Sequence, residues 1–316
     1  MNNIREMMIE RIRSCPACGR ASFSEQPLPR HRIGDIFFET QGVVCGLKRC
    51  GYCGLEFVDP RPSETLLSAF YDQPGYPAHL EAENKVIMDK ARGRIKRLPR
   101  AKKGDRFLDI GCGNGAQLEE CSREGWECVG MEPSVQGRAI AAARRFPVYG
   151  KLEDVVKKER QFDVITLYHV LEHVADPSEL FRMTRALLKP GGRLIIEVPN
   201  LKSFRARVFS LLPAGMRQSD DRYRAFPIHL YGFSRRSIKM FLQRHQGRVV
   251  GGTTTGFGVE WYSSVPADVN RKDDGDTVVM AKHSKAYWRR MARWVLGIME
   301  KAGFGENLTI YAEFDS

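Results

Sequence analysis

The nine residues FLDIGCGNG, Phe107 to Gly115, decide the fold of this chain. The first four predict a short buried strand, and the glycines predict a turn into a helix that begins near Ala116. Glycine lets a ligand approach the backbone closely, and the free N–H groups at the start of a helix face that ligand. The stretch therefore predicts a strand, a ligand-binding turn and a helix.

A second predicted strand, Glu127 to Glu132, ends in an acid that lies 21 residues beyond Gly111. An acid at this distance and position hydrogen-bonds the ribose diol of a nucleoside ligand; the alternative is a solvated surface acid. The glycine spacing is G-x-G-x-G, which differs from the G-x-G-x-x-G of dinucleotide sites. Asp109 adds a carboxylate that can hold a cationic amino-acid group. The pattern favours S-adenosylmethionine over a dinucleotide.

The strand and helix patterns continue to alternate beyond Glu132. Phe162 to Leu167 predicts a strand, and Asp176-Pro177-Ser178-Glu179 predicts a capped helix start with proline at its first position. Arg193 to Val198 predicts the next strand, after the stop Pro190-Gly191-Gly192. This alternation is typical of a doubly wound α/β sheet, which binds its ligand at the carboxyl ends of the strands.

Four segments in this order resemble the class I S-adenosylmethionine-dependent methyltransferases: FLDIGCGNG, VGMEPS, FDVITLYHVLEHVADP and LLKPGGRLIIEVPN. The resemblance spans Phe107 to Asn200. It implies a Rossmann-like α/β fold, with a seven-stranded sheet that carries helices on both faces. It also implies ten cofactor-binding positions: Asp109, Gly111, Cys112, Gly113, Met131, Glu132, Pro133, Leu152, Glu153 and Tyr168.

The segment FPIHLYGFSRRSIKMFL is similar to the H-L-Y-x-F-S stretch of a bacterial subgroup of these enzymes. The resemblance nominates His229 as the catalytic base, with His169 and Tyr168 as further catalytic candidates beside the methyl group. Without it, His229 is expected to be a partly buried structural histidine. His169, Glu172 and His173 form H-x-x-E-H, which places them near one helical face; this trio is either a second metal site or part of the active-site wall.

Two C-x-x-C pairs near the N-terminus, Cys15/Cys18 and Cys50/Cys53, predict a structural zinc site. Between the inner cysteines, Cys18 and Cys50, lie 31 residues, and a glycine follows each pair, Gly19 the first and Gly54 the second. A glycine there can adopt the positive φ that such a turn demands. A redox dithiol is disfavoured, since neither pair starts a helix inside a βαβ unit. We expect Cys45 to lie in the core.

Charge is unevenly distributed along the chain. The formal net charge is +12, and residues 201–245 hold ten Lys or Arg against Asp220 and Asp221. This excess indicates an anionic partner or a solvated basic face. No apolar run approaches the roughly 20 residues of a membrane span, so a cytoplasmic location is expected. A basic amphipathic helix, residues 285–303, would pack on the core or touch a membrane surface.

These patterns divide the chain into a zinc-binding knob (1–60), a helical linker (61–100), a cofactor core (101–200) and a substrate-side part (201–316). Residues 307–314 are expected to form the last, antiparallel strand, beside 248–254. The expected function is methyl transfer by in-line displacement to a small anionic metabolite, such as a sugar-nucleotide, a polysaccharide precursor or a natural-product intermediate. The alternatives are an RNA or protein methyltransferase that uses the knob for recognition, and a non-catalytic cofactor-binding scaffold.

Overall fold

The computed structural model describes residues 9–28, 38, 41–72, 84–204, 206–207, 226–256 and 297–314. Its N-terminal part consists of β1 (Ile9–Glu10), β2 (Phe23–Gln26), β3 (Leu47–Cys50), β4 (Glu56–Val58), β5 (Arg61–Pro62), α1 (Glu64–Tyr71) and α2 (Asn84–Ile95). Strands β1 and β5 form an antiparallel pair, while β2, β3 and β4 form an antiparallel meander.

From Arg106 to Pro199 the described chain alternates strands and helices as the sequence predicts, and further strands and a helix follow. Its elements are β6 (Arg106–Ile110), α3 (Ala116–Arg123), β7 (Glu127–Met131), α4 (Val135–Ala142), β8 (Val148–Tyr149), α5 (Leu152–Lys158), β9 (Phe162–Tyr168), α6 (Pro177–Leu187), β10 (Leu188–Pro199), β11 (Tyr231–Gly232), α7 (Arg235–Arg244), β12 (Gly247–Thr255) and β13 (Asn307–Phe314).

Seven of these strands form one sheet in the order β12-β13-β10-β9-β6-β7-β8. Strand β13 runs antiparallel to both of its neighbours, β10 and β12, and the pairs from β10 to β8 are parallel. The predicted seven-stranded α/β fold is confirmed, including the position of the last strand. Because β6, β9 and β10 are central and parallel, their carboxyl ends meet at one edge of the sheet.

Local sequence signals explain the start of α6. Asp176 accepts hydrogen bonds from the backbone N–H groups of Ser178 and Glu179, at 2.9 and 3.1 Å, and Pro177 takes the first helical position. Leu180, Met183 and Leu187 are buried, as the helical period predicts. Ser63 occupies the N-cap position of α1, although its side chain makes no capping hydrogen bond.

The cysteine-rich sheet is completed by a strand from far along the chain. Strand β11 pairs antiparallel with β4, and Arg244 on α7 donates hydrogen bonds to the carbonyls of Cys15 and Pro16 at 3.1 and 3.3 Å. Asn200, directly after β10, forms a parallel bridge with Phe233. These contacts hold the cysteine-rich sheet beside the carboxyl end of β10.

No helix within the described ranges is long and apolar enough to cross a membrane. Most of the amphipathic segment 285–303 lies outside the described residues, as do Arg205, Arg217, Arg222 and Arg224 of the basic stretch.

Candidate functional site

The glycine loop after β6 is tied to the end of β7. Gly111 and Cys112 donate backbone hydrogen bonds to the carbonyl of Met131 at 2.7 and 3.0 Å, and Gly113 donates to Oε2 of Glu132 at 2.9 Å. Gly111 has φ +74°, and a Cβ there would lie 2.5 Å from Cγ2 of Val170. The position therefore requires glycine for both conformation and space.

Asp109 lies at the centre of the carboxyl edge and is only 3% exposed. Its Oδ1 accepts a hydrogen bond from Oγ1 of Thr166 at 2.6 Å. Burial raises the pKa of Asp109 to about 7, against the opposing effects of Thr166 and the Arg94 charge. Burial penalises the ionised form, so a cationic ligand at this carboxyl group would relieve that penalty.

Glu132 is the acid at the tip of β7, and it is 4% exposed. Its two oxygens accept backbone hydrogen bonds from Gly113 and Ser134, at 2.9 and 3.0 Å. Burial raises the pKa of Glu132, while these hydrogen bonds oppose the rise. A Cβ at Gly137 would lie 3.2 Å from Cγ of Glu132, so the acid is also packed in place. These contacts hold the Glu132 carboxylate in one orientation at the tip of β7.

The remaining predicted cofactor positions surround this edge. Met131 is partly buried and Pro133 exposed on either side of Glu132, and α5 begins with buried Leu152 and exposed Glu153. The thiol of Cys112 packs against Gly130, and burial raises its pKa well above the usual value, so it is unreactive. The site suits S-adenosylmethionine in three respects. Its two buried carboxylates fit the ammonium group and the ribose, the glycine loop allows close approach of the backbone, and the apolar flank fits the base.

Glu197 on β10 organises a second group that sequence reasoning missed. Its carboxylate accepts from the Arg94 guanidinium at 2.6 Å and from Oγ1 of Thr309 at 3.0 Å, and Arg97 approaches to 3.6 Å. Burial would raise the pKa of Glu197, but a hydrogen bond from His169 and the Arg94 charge lower it strongly. A glutamate inside the apolar run RLIIEVP is the signal that was available, because such an acid is rarely buried unless it is paired.

His169 follows β9 in a left-handed conformation, φ +56°. Its Nδ1 lies 3.3 Å from Glu172 and its Nε2 lies 3.5 Å from Glu197. Burial alone would lower the pKa of His169, but the hydrogen bonds to these two acids raise it to about 9. At neutral pH this histidine is a cation, which makes it a hydrogen-bond donor and not a base. Tyr168, just before it, packs its ring under the Arg94 guanidinium, 4.1 Å from the centroid.

The prediction that His169, Glu172 and His173 share a helical face is wrong. Residues 171–173 form a turn between β9 and α6, and His169 points to Glu197 as well as Glu172. The structure instead groups Glu172 with His173 and His229, whose nitrogen and oxygen atoms lie within 4.8 Å of one another. The reason is that the chain leaves β9 through a left-handed residue, which ends any helical repeat.

His173 and His229 stack edge to face with ring centroids 4.6 Å apart. Nδ1 of His173 lies 2.7 Å from the Tyr71 hydroxyl and 3.2 Å from the carbonyl of Ile228. Burial lowers the pKa of His173, so this imidazole is neutral at pH 7. Glu172 is fully buried and also accepts the backbone N–H groups of Leu230 and Tyr231 through its carbonyl, at 2.7 and 3.2 Å. His229 thus lies beside Glu172, whose carboxylate is also 3.3 Å from Nδ1 of His169.

The four N-terminal cysteines converge as predicted. Sγ of Cys15 lies 3.5 Å from Sγ of Cys53, Sγ of Cys18 lies 3.6 Å from Sγ of Cys50, and all four sulfurs lie within 4.8 Å of one another. Thiolates about 2.3 Å from a tetrahedral zinc ion would be roughly 3.8 Å apart, so the donor set fits zinc. Gly19 and Gly54 adopt φ +75° and +74°, and Cys45 lies in the core, as expected.

Fold and site together define a class: a doubly wound methyltransferase sheet with buried acids at its carboxyl edge. The chain belongs to the methyltransferase-domain family, whose model matches residues 83–250, more than half of its length.

Curated relatives are named ubiquinone biosynthesis O-methyltransferase. The protein from Coxiella burnetii is 32% identical over 129 residues, which cover 36% of this chain and 55% of the relative. The one from Azorhizobium caulinodans is 32% identical over 157 residues, which cover 45% and 62%. The chain thus spans little more than half the length of these relatives.

Solved structures share the fold. An S-adenosylmethionine-dependent methyltransferase from Thermotoga maritima has a TM-score of 0.51 at 17% identity and covers 79% of this chain and 100% of its own. A chain from the complex of the Haloferax volcanii Trm112 methyltransferase activator with a methyltransferase has a TM-score of 0.53 at 17% identity, covering 79% and 98%.

Proposed function

We propose that this protein is an S-adenosylmethionine-dependent methyltransferase that acts on a small anionic metabolite and carries a structural zinc ion. The observation that carries the proposal is the pair of buried carboxylates, Asp109 and Glu132, held on either side of a glycine loop at the carboxyl edge. Membership of the methyltransferase-domain family supports the same activity.

The cofactor residues have distinct roles in this proposal. Asp109 holds the ammonium end, Glu132 accepts the ribose hydroxyls, and the loop from Gly111 to Gly113 allows close approach of the backbone. Met131, Pro133, Leu152 and Glu153 flank the adenine, with Cys112 packed behind the loop. When bound, S-adenosylmethionine would supply a methyl group attached to a cationic sulfur. The methyl group would go to the acceptor by in-line displacement, and the leaving group would be the neutral thioether S-adenosylhomocysteine.

The acceptor side has to position a nucleophile and take its proton. His229 is the proposed base, since it lies beside the Glu172 carboxylate and the neutral His173 ring. His169 is a cation and therefore suits charge stabilisation, and Tyr168 forms the wall beside it. Orientation of the reacting pair can supply roughly 7–11 kcal/mol, and a base adds about 10²–10⁴-fold.

The substrate class rests on charge and on the relatives. Residues 201–245 carry ten Lys or Arg against two Asp, which favours an anionic acceptor such as a sugar-nucleotide, a polysaccharide precursor or a natural-product intermediate. The relatives named ubiquinone biosynthesis O-methyltransferase favour oxygen as the acceptor atom. RNA or protein methylation is the second candidate, because the pairing of β4 with β11 joins the knob to the substrate-side part of the chain, where the knob could contact a larger acceptor. The segment boundaries at residues 60, 100 and 200 stay predictions.

Native mass spectrometry of the purified protein with S-adenosylhomocysteine tests the proposal. We expect one zinc ion and one nucleoside adduct per chain. Glu132→Gln should weaken binding of S-adenosylhomocysteine roughly 10- to 100-fold, because hydrogen bonds to a charged group contribute about 1.5–3 kcal/mol. The matched control is Glu124→Gln, an exposed acid after α3, which should bind within twofold of wild type. Zinc without an adduct would contradict the cofactor assignment, and an adduct with no turnover on any acceptor would favour a scaffold.

A further inference from the structure

A cleft of about 850 Å³ lies between the cysteine-rich sheet and the β12–β13 edge of the main sheet. Its walls are the second cysteine turn (Cys50–Gly54), the start of α7, residues 252–254 of β12 and the segment 300–303. The carboxylates Asp109, Glu132 and Glu172 do not line it. The cleft is therefore separate from the candidate cofactor site.

Positive charge dominates the walls of this cleft. Its cationic residues are Arg49, Lys202, Arg207, Arg235, Arg236 and Lys301. Among the described lining residues, the one carboxylate is Glu300, which accepts the backbone N–H of Gly256 at 2.9 Å. Within the described part of the chain, Arg49, Lys202 and Arg235 form no ion pair with a carboxylate. These three charges face the same cleft, and no described carboxylate is ion-paired with them.

The crowding of these cations is visible in Lys202. Partial desolvation lowers the pKa of Lys202, and the positive charges of Arg49 and Arg207 lower it further, while Glu56 opposes them weakly. Like charges held together in a partly desolvated cleft raise the free energy of the empty site. An anionic ligand would reduce that repulsion, so the cleft favours binding of an anion.

One of the cations is also held in place by an aromatic ring. The Tyr52 ring, 38% exposed, lies 3.4 Å from the Arg20 guanidinium and 5.5 Å from that of Arg236, measured to the ring centroid. Such contacts reduce the freedom of a guanidinium group and direct its remaining N–H donors. Arginine forks of this kind match phosphoryl oxygens in geometry as well as in charge.

We propose that this cleft binds the phosphoryl groups of a small ligand that carries at least two of them. Arg49, Lys202 and Arg235 alone carry more positive charge than a single phosphate would neutralise, and the volume is that of a small-molecule site. Asn200 in the cleft lies three residues beyond Glu197, so about 10 Å of extended chain separates the two. In the proposed arrangement, the ligand extends from the cleft toward His169, whose Nε2 lies 3.5 Å from Glu197. That the cleft anchors the methyl acceptor rests on the proposed methyl transfer. That the cleft binds phosphoryl groups does not depend on it.

Calorimetric titration of the full-length, zinc-loaded protein with inorganic tripolyphosphate tests the site. The double variant Arg49→Gln/Lys202→Gln should weaken binding at least tenfold. Lys239→Gln is the matched control, because this exposed lysine lies on α7 outside the cleft and removes the same kind of charge. It should bind tripolyphosphate within twofold of wild type.

Binding of S-adenosylhomocysteine, measured in the same preparations, separates the two proposals. We expect it to be unchanged in all three proteins. If S-adenosylhomocysteine binds but tripolyphosphate does not, or if Lys239→Gln weakens tripolyphosphate as much as the double variant, the cleft proposal is overturned. A short single-stranded RNA that binds more tightly than tripolyphosphate and depends on Arg49 and Lys202 would also overturn it, in favour of a nucleic-acid site. Loss of S-adenosylhomocysteine binding alone would leave the cleft standing and remove the methyltransferase proposal.

Discussion

The cofactor side and the acceptor side of the candidate active site are built in different ways. On the cofactor side, Asp109, the glycine loop and Glu132 come from two consecutive strands and the turn between them. On the acceptor side, Tyr71, Arg94, Glu197 and His229 come from elements far apart in the chain and meet only through tertiary contacts. The difference separates what local sequence patterns can predict from what packing has to assemble.

The largest expected effect lies on the acceptor side. His229→Ala should lower turnover by about 10²–10⁴-fold, the usual contribution of a general base, while S-adenosylhomocysteine affinity stays within twofold. Methyl transfer to an accepted substrate and calorimetric binding measure the two quantities.

The matched control for this variant is His245→Gln, another partly buried histidine, which packs against Phe181 and Phe241 away from the carboxyl edge. It should retain turnover near the wild-type rate. Unchanged turnover in His229→Ala, with normal thermal stability, would contradict the assignment of His229 as base.

Sequence patterns predicted the cofactor side well for a physical reason. Strands β6, β7 and β9, the glycine turn and the capped start of α6 each depend on contacts within a few residues, so their signals are local. Asp109 and Glu132 follow from their positions at strand ends. The number of strands and the place of the last, antiparallel strand came from the family resemblance, and the structure confirms both.

The acceptor side was predicted only in part. The turn at residues 171–173 depends on the left-handed backbone of His169, which a histidine adopts only where its surroundings stabilise it. The pairing of Arg94 with Glu197 joins residues 103 positions apart. The pairing of β11 with β4 likewise depends on long-range packing, which one sequence does not record.

The next prediction concerns pH and the cofactor side. Burial raises the pKa of Asp109 to about 7, above its unfolded value near 3.9, so its ionisation opposes folding as pH rises between those values. Burial favours the protonated form of Asp109, whereas a cationic ligand binds more tightly to the ionised carboxylate. Affinity for S-adenosylhomocysteine should therefore increase about tenfold between pH 5.5 and 7.5 and then level off.

Calorimetry over this pH range checks the prediction, with Asp109→Asn as the reference. The variant should bind more weakly and show a flat pH profile. An equal slope in wild type and Asp109→Asn would assign the proton to another group.

A smaller effect is expected for the ion pair that joins α2 to β10. Arg94→Met should lower the free energy of unfolding by about 2 kcal/mol, because it leaves the buried Glu197 carboxylate with only Arg97, His169 and Thr309. Denaturant unfolding measures this change. Arg92→Met on the same helix removes the pairs that this exposed arginine makes with Asp89 and Glu120, both at 3.4 Å. It should cost less than about 0.5 kcal/mol, because Glu120 keeps Arg123 as a partner. An equal decrease in the free energy of unfolding for Arg94→Met and Arg92→Met would show that the positive charge of α2, and not the contact with Glu197, stabilises the protein.

The smallest effect on the cofactor side is expected from loss of zinc. Cys53→Ser should abolish zinc binding and increase hydrogen exchange in residues 9–58, because metal binding supplies much of the folding energy of so small a sheet. S-adenosylhomocysteine affinity should change less than threefold, since Asp109 and Glu132 are held by β6, β7 and β9. Cys45→Ser, a core cysteine outside the metal cluster, should keep one zinc ion per chain. If Cys53→Ser abolishes cofactor binding as well, the contacts through β11 and the Asn200–Phe233 bridge make the two sides one cooperative unit.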